Sequence, residues 1–240
     1  MKRTLSLCCV IAVAAIAISG CASKAVTPKA TTVFLDPNYI SRGIVTIAML
    51  PLANLTGEAD AENVLGNAIE AQLATRTDYT FMTVERVNRA AQAGGLSADM
   101  ESLRRQWVHT RQFKADLARK IADELKIDAF MVGEITKWSK EDLQPQETGY
   151  PHSDVGCRVY LMEARTGEKL WEATADKMVR GPYYDPSEQE ITQYTDEAGI
   201  VRGSGGKPVQ TIEAPSIREV ADEVAADVVT AIPQKKADQE

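Results

Sequence analysis

Cysteine, histidine and long apolar runs are all scarce in this chain, and each scarcity removes a class of protein. Only four of its 240 residues are cysteine and two are histidine. Cys8, Cys9 and Cys21 fall within or at the end of the amino-terminal apolar segment. A mature domain would keep Cys157 alone and cannot form an internal disulfide, even in an oxidising compartment. His109 and His152 lie apart, one in a polar helical stretch and one in a loop, and neither belongs to a His-Glu-x-x-His zinc pattern. A Gly-x-Ser-x-Gly elbow, a P-loop and a dinucleotide glycine pattern are also missing. Gly203-Ser204-Gly205-Gly206 lacks the following Lys-Ser/Thr of a phosphate loop and reads as linker. The pairs Glu141-Asp142 and Asp222-Glu223 lack calcium-loop spacing, so no metal site and no cofactor are expected. Basic excess is absent too: 27 Lys and Arg face 34 Asp and Glu, a net charge of −7. Nucleic acid, which rewards clustered cations, is therefore an improbable partner class. Past the first segment no apolar run approaches the roughly 20 residues of a spanning helix.

What is present begins at the amino terminus. Met1, Lys2 and Arg3 precede an apolar run from Leu5 to Ile18 that ends in Ile18-Ser19-Gly20-Cys21. A basic start, an apolar stretch short for a bilayer and small residues before a cleavage point predict a signal peptide over 1–20. Its ending resembles the bacterial lipobox, which implies lipid attachment at Cys21 and anchoring by lipid instead of a helix. Ala22 follows the cysteine, where aspartate would favour inner-membrane retention in that family. The resemblance thus implies the outer membrane, periplasmic face. Residues 21–43, with Ser, Thr, Lys and Pro and little periodicity, read as a lipidated tether. Phe34, Leu35, Tyr39 and Ile40 are apolar enough for part of it to dock on the domain or on a neighbouring copy.

From Ile44 to Leu50 a nearly continuous apolar run predicts a strand buried on both faces, ended by Pro51. Asp60 is placed to cap a helix bearing Val64, Leu65, Ala68, Ile69 and Leu73 on one side. A strand over 79–84, a short helix over 85–93 stopped by Gly94-Gly95, a polar helix over 99–107 and a helix over 114–125 follow. Residues 128–138 return to strand, 139–152 read as loop, and a hairpin turns at Arg165-Thr166-Gly167-Glu168. In that hairpin Val155, Cys157, Val159 and Leu161 alternate with Arg158, Tyr160 and Met162, and Trp171 with Glu172. The 181–214 stretch is too long for a simple connection and reads as an insertion. A last helix, begun by Pro215 and Ser216 with Glu219 completing a capping box, carries Ile217, Val220, Val224, Val228 and Ile232 on one stripe. The tail 233–240 is polar. The order predicts one α/β domain over 44–232, a sandwich of two or more layers with a mixed β-sheet and packed helices.

The motifs from Ile44 to Val179 resemble a periplasmic-domain superfamily. They are Leu50-Pro51 with Asn54-x-Thr56-Gly57, Phe81-x-Thr83-Val84-Glu85-Arg86, Ala118 to Ala129 leading into Val132-Gly133-Glu134-Ile135, and Arg165-Thr166-Gly167-Glu168-x-Leu170-Trp171. The set is similar to the CsgG curli-secretion lipoproteins, the LpoB activators of penicillin-binding proteins and the amino-terminal domain of TolB. That resemblance implies a non-enzymatic lipoprotein that binds envelope or secretion proteins. Partner-binding candidates are Asn54, Thr56 and Gly57, together with Tyr183 and Tyr184, because loops on a rigid scaffold commonly carry binding. The two tyrosines either anchor a partner or tuck beneath their loop. Two other readings stand beside this one. One is a ring-forming secretion component, a homo-oligomer in which Phe34 to Ile40 docks on the next subunit. The second is a hydrolase using Cys157, although a cysteine on the apolar face of a strand ordinarily acts as a small hydrophobe. Neither 139–152 nor 181–214 has the sustained alternation of membrane-spanning hairpins.

Overall fold

The computed structural model describes residues 30–188 and 211–235, with short strands at 193–195 and 201–204 between them. The expected signal peptide, Cys21 and the end of the polar tail lie outside the described residues. The elements run β1 (Thr31–Leu35), β2 (Thr46–Met49), β3 (Ala53–Asn54), α1 (Ala61–Leu73), β4 (Thr80–Met82), α2 (Val84–Ala93) and α3 (Ser97–Thr110). Then come α4 (Ala115–Leu125), β5 (Ala129–Glu141), β6 (His152–Glu163), β7 (Lys169–Arg180), β8 (Gln193–Thr195), β9 (Val201–Ser204) and α5 (Ile217–Ala231). One mixed seven-stranded sheet has the order β1-β7-β6-β5-β2-β4, with β3 also paired to β5. The fold is an α/β sandwich, as the alternation of elements predicts.

Parallel pairing joins β4, β2 and β5, and this half is covered on both sides. Ile47, Met49, Met131 and Ile135 pack toward α1 and α5, and Ala48, Leu50, Phe130 and Val132 pack toward α2, α3 and α4. The continuous apolar run of β2 exists because both of its faces are core. Antiparallel pairing joins β5, β6, β7 and β1. There Val155, Cys157, Val159, Leu161, Trp171 and Ala173 face α5, which meets them with Val220, Val224 and Val228. Each buried Val, Ile or Leu contributes about 1.5–3 kcal/mol. Gly133 lets the layers close: a Cβ there would stand 2.8 Å from the Arg158 carbonyl and 2.9 Å from Leu52 Cδ2.

The tether expected over 21–43 is corrected from residue 31 onward. Thr31–Leu35 is an edge strand against β7, with Thr31 opposite Thr174 and Leu35 opposite Trp171. A 3-10 turn follows at Ile40–Arg42. Tyr39 is 3% exposed, and its hydroxyl donates to the Tyr79 hydroxyl at 3.0 Å. Arg42 binds Asp36, Glu163 and Glu168 at 2.8–3.0 Å. The sheet therefore takes in the chain from residue 31, and of the two docking options expected for Phe34, Leu35, Tyr39 and Ile40 the structure shows the one on the domain itself. All five β1 side chains are exposed, so its pairing through backbone hydrogen bonds leaves no strand alternation to read.

Three smaller corrections have equally local causes. The helix predicted as polar over 99–107 is α3, which buries Met100, Leu103 and Trp107. Neither Asp60 nor Ser216 makes a side-chain cap bond, so the Ser216–Glu219 capping box does not form. Thr83 does cap a helix, accepting from the Arg86 N–H at 3.3 Å. Strands β5 and β6 extend the hairpin to Glu141 and from His152, shortening the predicted loop.

Candidate functional site

Among the described residues, the antiparallel half is covered by α5 on one face, while the other is met only at its edge by the end of α3. Antiparallel sheets tolerate this when the open face is polar, and here that face carries cross-strand ion pairs. Lys137 reaches Asp176 at 3.0 Å and Asp154 at 3.9 Å. Lower on the same face a groove of about 510 Å³ opens between the end of α3 and strands β6 and β7. Trp107, Arg111, Arg158, Tyr160, Lys169 and Glu172 are its principal lining residues.

Two buried carboxylates organise this groove. Glu134 is 7% exposed and pairs with Arg111 at 2.7 Å. Glu172 is 6% exposed, receives Lys169 Nζ at 2.5 Å and lies 3.7 Å from Arg158 Nε. A carboxylate this buried is tolerated only when paired, because desolvation otherwise costs several kcal/mol. Arg111 sits in the left-handed region (φ 56°) where α3 ends. Its guanidinium donates to the Trp107 and Val108 carbonyls at 3.2 and 2.7 Å, closing the helix terminus while it holds Glu134. Beneath the charges lies an aromatic layer: Trp107 meets Tyr160 edge-on at 5.0 Å and Phe113 at 5.8 Å. Burial foremost, opposed by the neighbouring Arg158, pushes the Tyr160 phenol above its ordinary range. The Trp107 indole Nε1–H is buried without an acceptor among the described residues, a state that ordinarily costs about 1–3 kcal/mol. On β1, Phe34 carries Lys169 Nζ 4.8 Å above its ring.

The predicted residues fall elsewhere. Asn54, Thr56 and Gly57 form one tight turn after β3. Asn54 Oδ1 accepts from the Thr56 N–H at 2.9 Å and the Thr56 hydroxyl at 2.8 Å, and its Nδ2 donates to the Glu58 carbonyl at 2.6 Å. Gly57 supplies φ 83°. Their polar groups are engaged inside the turn, which presents Leu55, 54% exposed. The tyrosine pair divides. Tyr184 is buried, bridges Gly149 and donates its hydroxyl to the Pro145 carbonyl at 3.0 Å. Tyr183 is 51% exposed and packs on Tyr150 at 5.0 Å. The turn aligns with Ile135, whereas the tyrosines lie past Glu141. That separation is about 20 Å along β5 at 3.4 Å per residue, so the structure does not unite the two sets. Cys157 is 2% exposed, and burial foremost pushes its thiol up to about 12. In the sequence Glu134 stands only within a motif, without a role, and Arg111 is not singled out. The available signal was a charged residue inside the otherwise apolar β5 run.

No protein-family model matches this sequence, and no curated protein matches it. Among solved structures, the chain is similar to lipoprotein GNA1162 from Neisseria meningitidis, at 16% identity over 57% of this chain and 84% of that one (TM-score 0.43). It is also similar to the PelC dodecamer from Paraburkholderia phytofirmans, at 13% identity over 85% and 97% of the two chains (TM-score 0.40). A third is the LpoB C-terminal domain from Salmonella enterica, at 16% identity over 57% and 83% (TM-score 0.37). LpoB, one of the groups the motifs resemble, is thus met among these structures. Identities and scores at this level transfer no residue role.

Proposed function

We propose that this chain is an outer-membrane lipoprotein, anchored through Cys21 on the periplasmic face. In this reading it acts without catalysis, by binding proteins of secretion or envelope assembly in the manner of the LpoB and CsgG lipoproteins. The observation that carries the reading is the groove on the open sheet face, where buried carboxylates hold cations in place over an aromatic layer. Such a preorganised polar surface suits recognition. The loop presenting Leu55 and the exposed Tyr183 are further contact candidates. A thiol hydrolase is disfavoured, since a cysteine buried on the α5 side presents no thiolate to a substrate.

From Cys21 to β1 the chain has residues 22–30, which span at most about 30 Å, so the body would stay near its membrane. A ring built through Phe34 to Ile40 is less favoured, because that segment is seated on its own sheet. Mass spectrometry of the native protein should find an acylated Cys21. Photo-crosslinking residues placed at Gln112, Leu55 and Tyr183 should give protein adducts in intact cells. An unacylated mature chain, or no adduct from any of the three sites, would overturn the assignment.

A further inference from the structure

We propose that the groove takes an extended acidic peptide segment of a protein partner, with one of its carboxylates seated on Arg158. This rests on the partner-binding reading above and adds the partner's chemistry. Charge complementarity carries it. The chain has a net charge of −7, yet the groove is lined by Arg111, Arg158 and Lys169 against one lining carboxylate, Glu172. Arg119 of α4 donates through Nε to the Arg165 carbonyl at the adjoining hairpin turn at 3.3 Å, and both arginines are exposed. Glu163 and Glu168 of that turn are taken up by Arg42.

The three lining cations are not equivalent. Arg111 and Lys169 are committed to Glu134 and Glu172 at 2.7 and 2.5 Å. Arg158, with its side chain 45% exposed, approaches Glu172 only through Nε at 3.7 Å. Its guanidinium also neighbours the Tyr160 hydroxyl, but its terminal amino groups have no ion-pair partner among the described residues, and a guanidinium fork matches a carboxylate bidentately. The indole N–H of Trp107, which lines the same groove, is buried with no acceptor among the described residues, a role open to a peptide carbonyl. The groove runs between the end of α3, with Trp107 and the following Phe113, and the β6–β7 wall, with Arg158, Met162 and Glu172. A cleft of about 510 Å³ between two such walls suits an extended peptide segment, with apolar side chains set toward Trp107, Phe113 and Met162. A phosphate or a single headgroup would fill one point of it.

The test uses the full-length chain in detergent and labelled, acetylated short peptides in which phenylalanine alternates with glutamate, glutamine or lysine. Fluorescence anisotropy should show the glutamate peptide binding more tightly than the other two. Arg158→Glu, at an exposed position that leaves the circular dichroism unchanged, should weaken it by about tenfold or more, because like charges are then juxtaposed. Arg158→Lys should restore part of the loss. Equal binding of the glutamate and lysine peptides would overturn the proposal, as would indifference to Arg158→Glu. Complete displacement of the peptide by inorganic phosphate or by phosphatidylglycerol vesicles would overturn it as well. If Gln112 gives protein adducts in cells while the glutamate peptide fails to bind, the carboxylate chemistry falls and the partner surface stands. If neither occurs, both fall.

Discussion

Cys157 shows how far a single residue could be read in advance. Its place among Val155, Val159 and Leu161 marked it as apolar-facing, and the structure buries it to 2% exposure. Desolvation, the largest cause, pushes its thiol up to about 12, so the folded state holds it protonated. A folded value raised above the unfolded one contributes stability that is complete below the ordinary thiol range and is lost as pH climbs toward 12. At neutral pH the native thiol should resist an aromatic disulfide reagent and react promptly in urea. Cys157→Ala should lower stability by roughly 1–2 kcal/mol in a denaturant titration and leave cellular crosslinks intact. Rapid native labelling, or lost crosslinking in a folded variant, would show that the thiol has another role. Glu134, Arg111 and Glu172 were not legible in the same way. Their meaning depends on which strand lies beside which, and that pairing joins residues far apart in the chain.

At the scale of elements, legibility followed periodicity. The apolar stripe of α5 and the two-sided burial of β2 could be read because packing imposes a repeat. Strand β1 docks through its backbone, and α3 buries Met100, Leu103 and Trp107 between polar neighbours. The apolar residues around β1 showed that it could dock but not that it forms a strand, and the apolar positions of α3 stayed hidden. The end of α5 is held by a device that no periodicity reports. Arg76 donates to the Val229 and Ile232 carbonyls, both at 2.9 Å, and pairs with Asp78. Asp78 also accepts from the Lys235 N–H at 3.2 Å. The Arg76 hydrogen bond foremost holds the Asp78 carboxyl below its usual range. For a depressed carboxylate the stabilisation is full above the ordinary carboxylate range and vanishes as pH falls through the folded value. Hydrogen exchange should show the last turn of α5 losing protection as the solution is acidified through that range. Asp78→Asn should show the same loss already at neutral pH. Equal protection of both proteins at both pH values would mean the clasp contributes nothing.

For the whole molecule, the class of fold was legible because strands and helices alternate and one hairpin is unmistakable. The lower boundary of the domain was not, for the reason given by β1. The difference is measurable. Deleting residues 30–43 removes the buried Tyr39 and uncovers the outer edge of β7 beside Trp171. It should lower stability by at least about 2 kcal/mol, the worth of one large buried side chain. A truncated chain as stable as the intact one would restore the tether reading.

The position of α5 has a consequence for when this protein can fold. It packs against α1 from the early part of the chain and against β6 and β7, and it seals the inner faces of Val159, Leu161 and Trp171. Until Ile217–Ala231 arrives, those side chains face water, and the half-built sheet lacks the burial that offsets its ordering entropy. The delay is written into the topology, since the piece that locks the structure emerges after everything it locks; if the chain is exported as proposed, that delay keeps the polypeptide threadable until it has crossed the membrane.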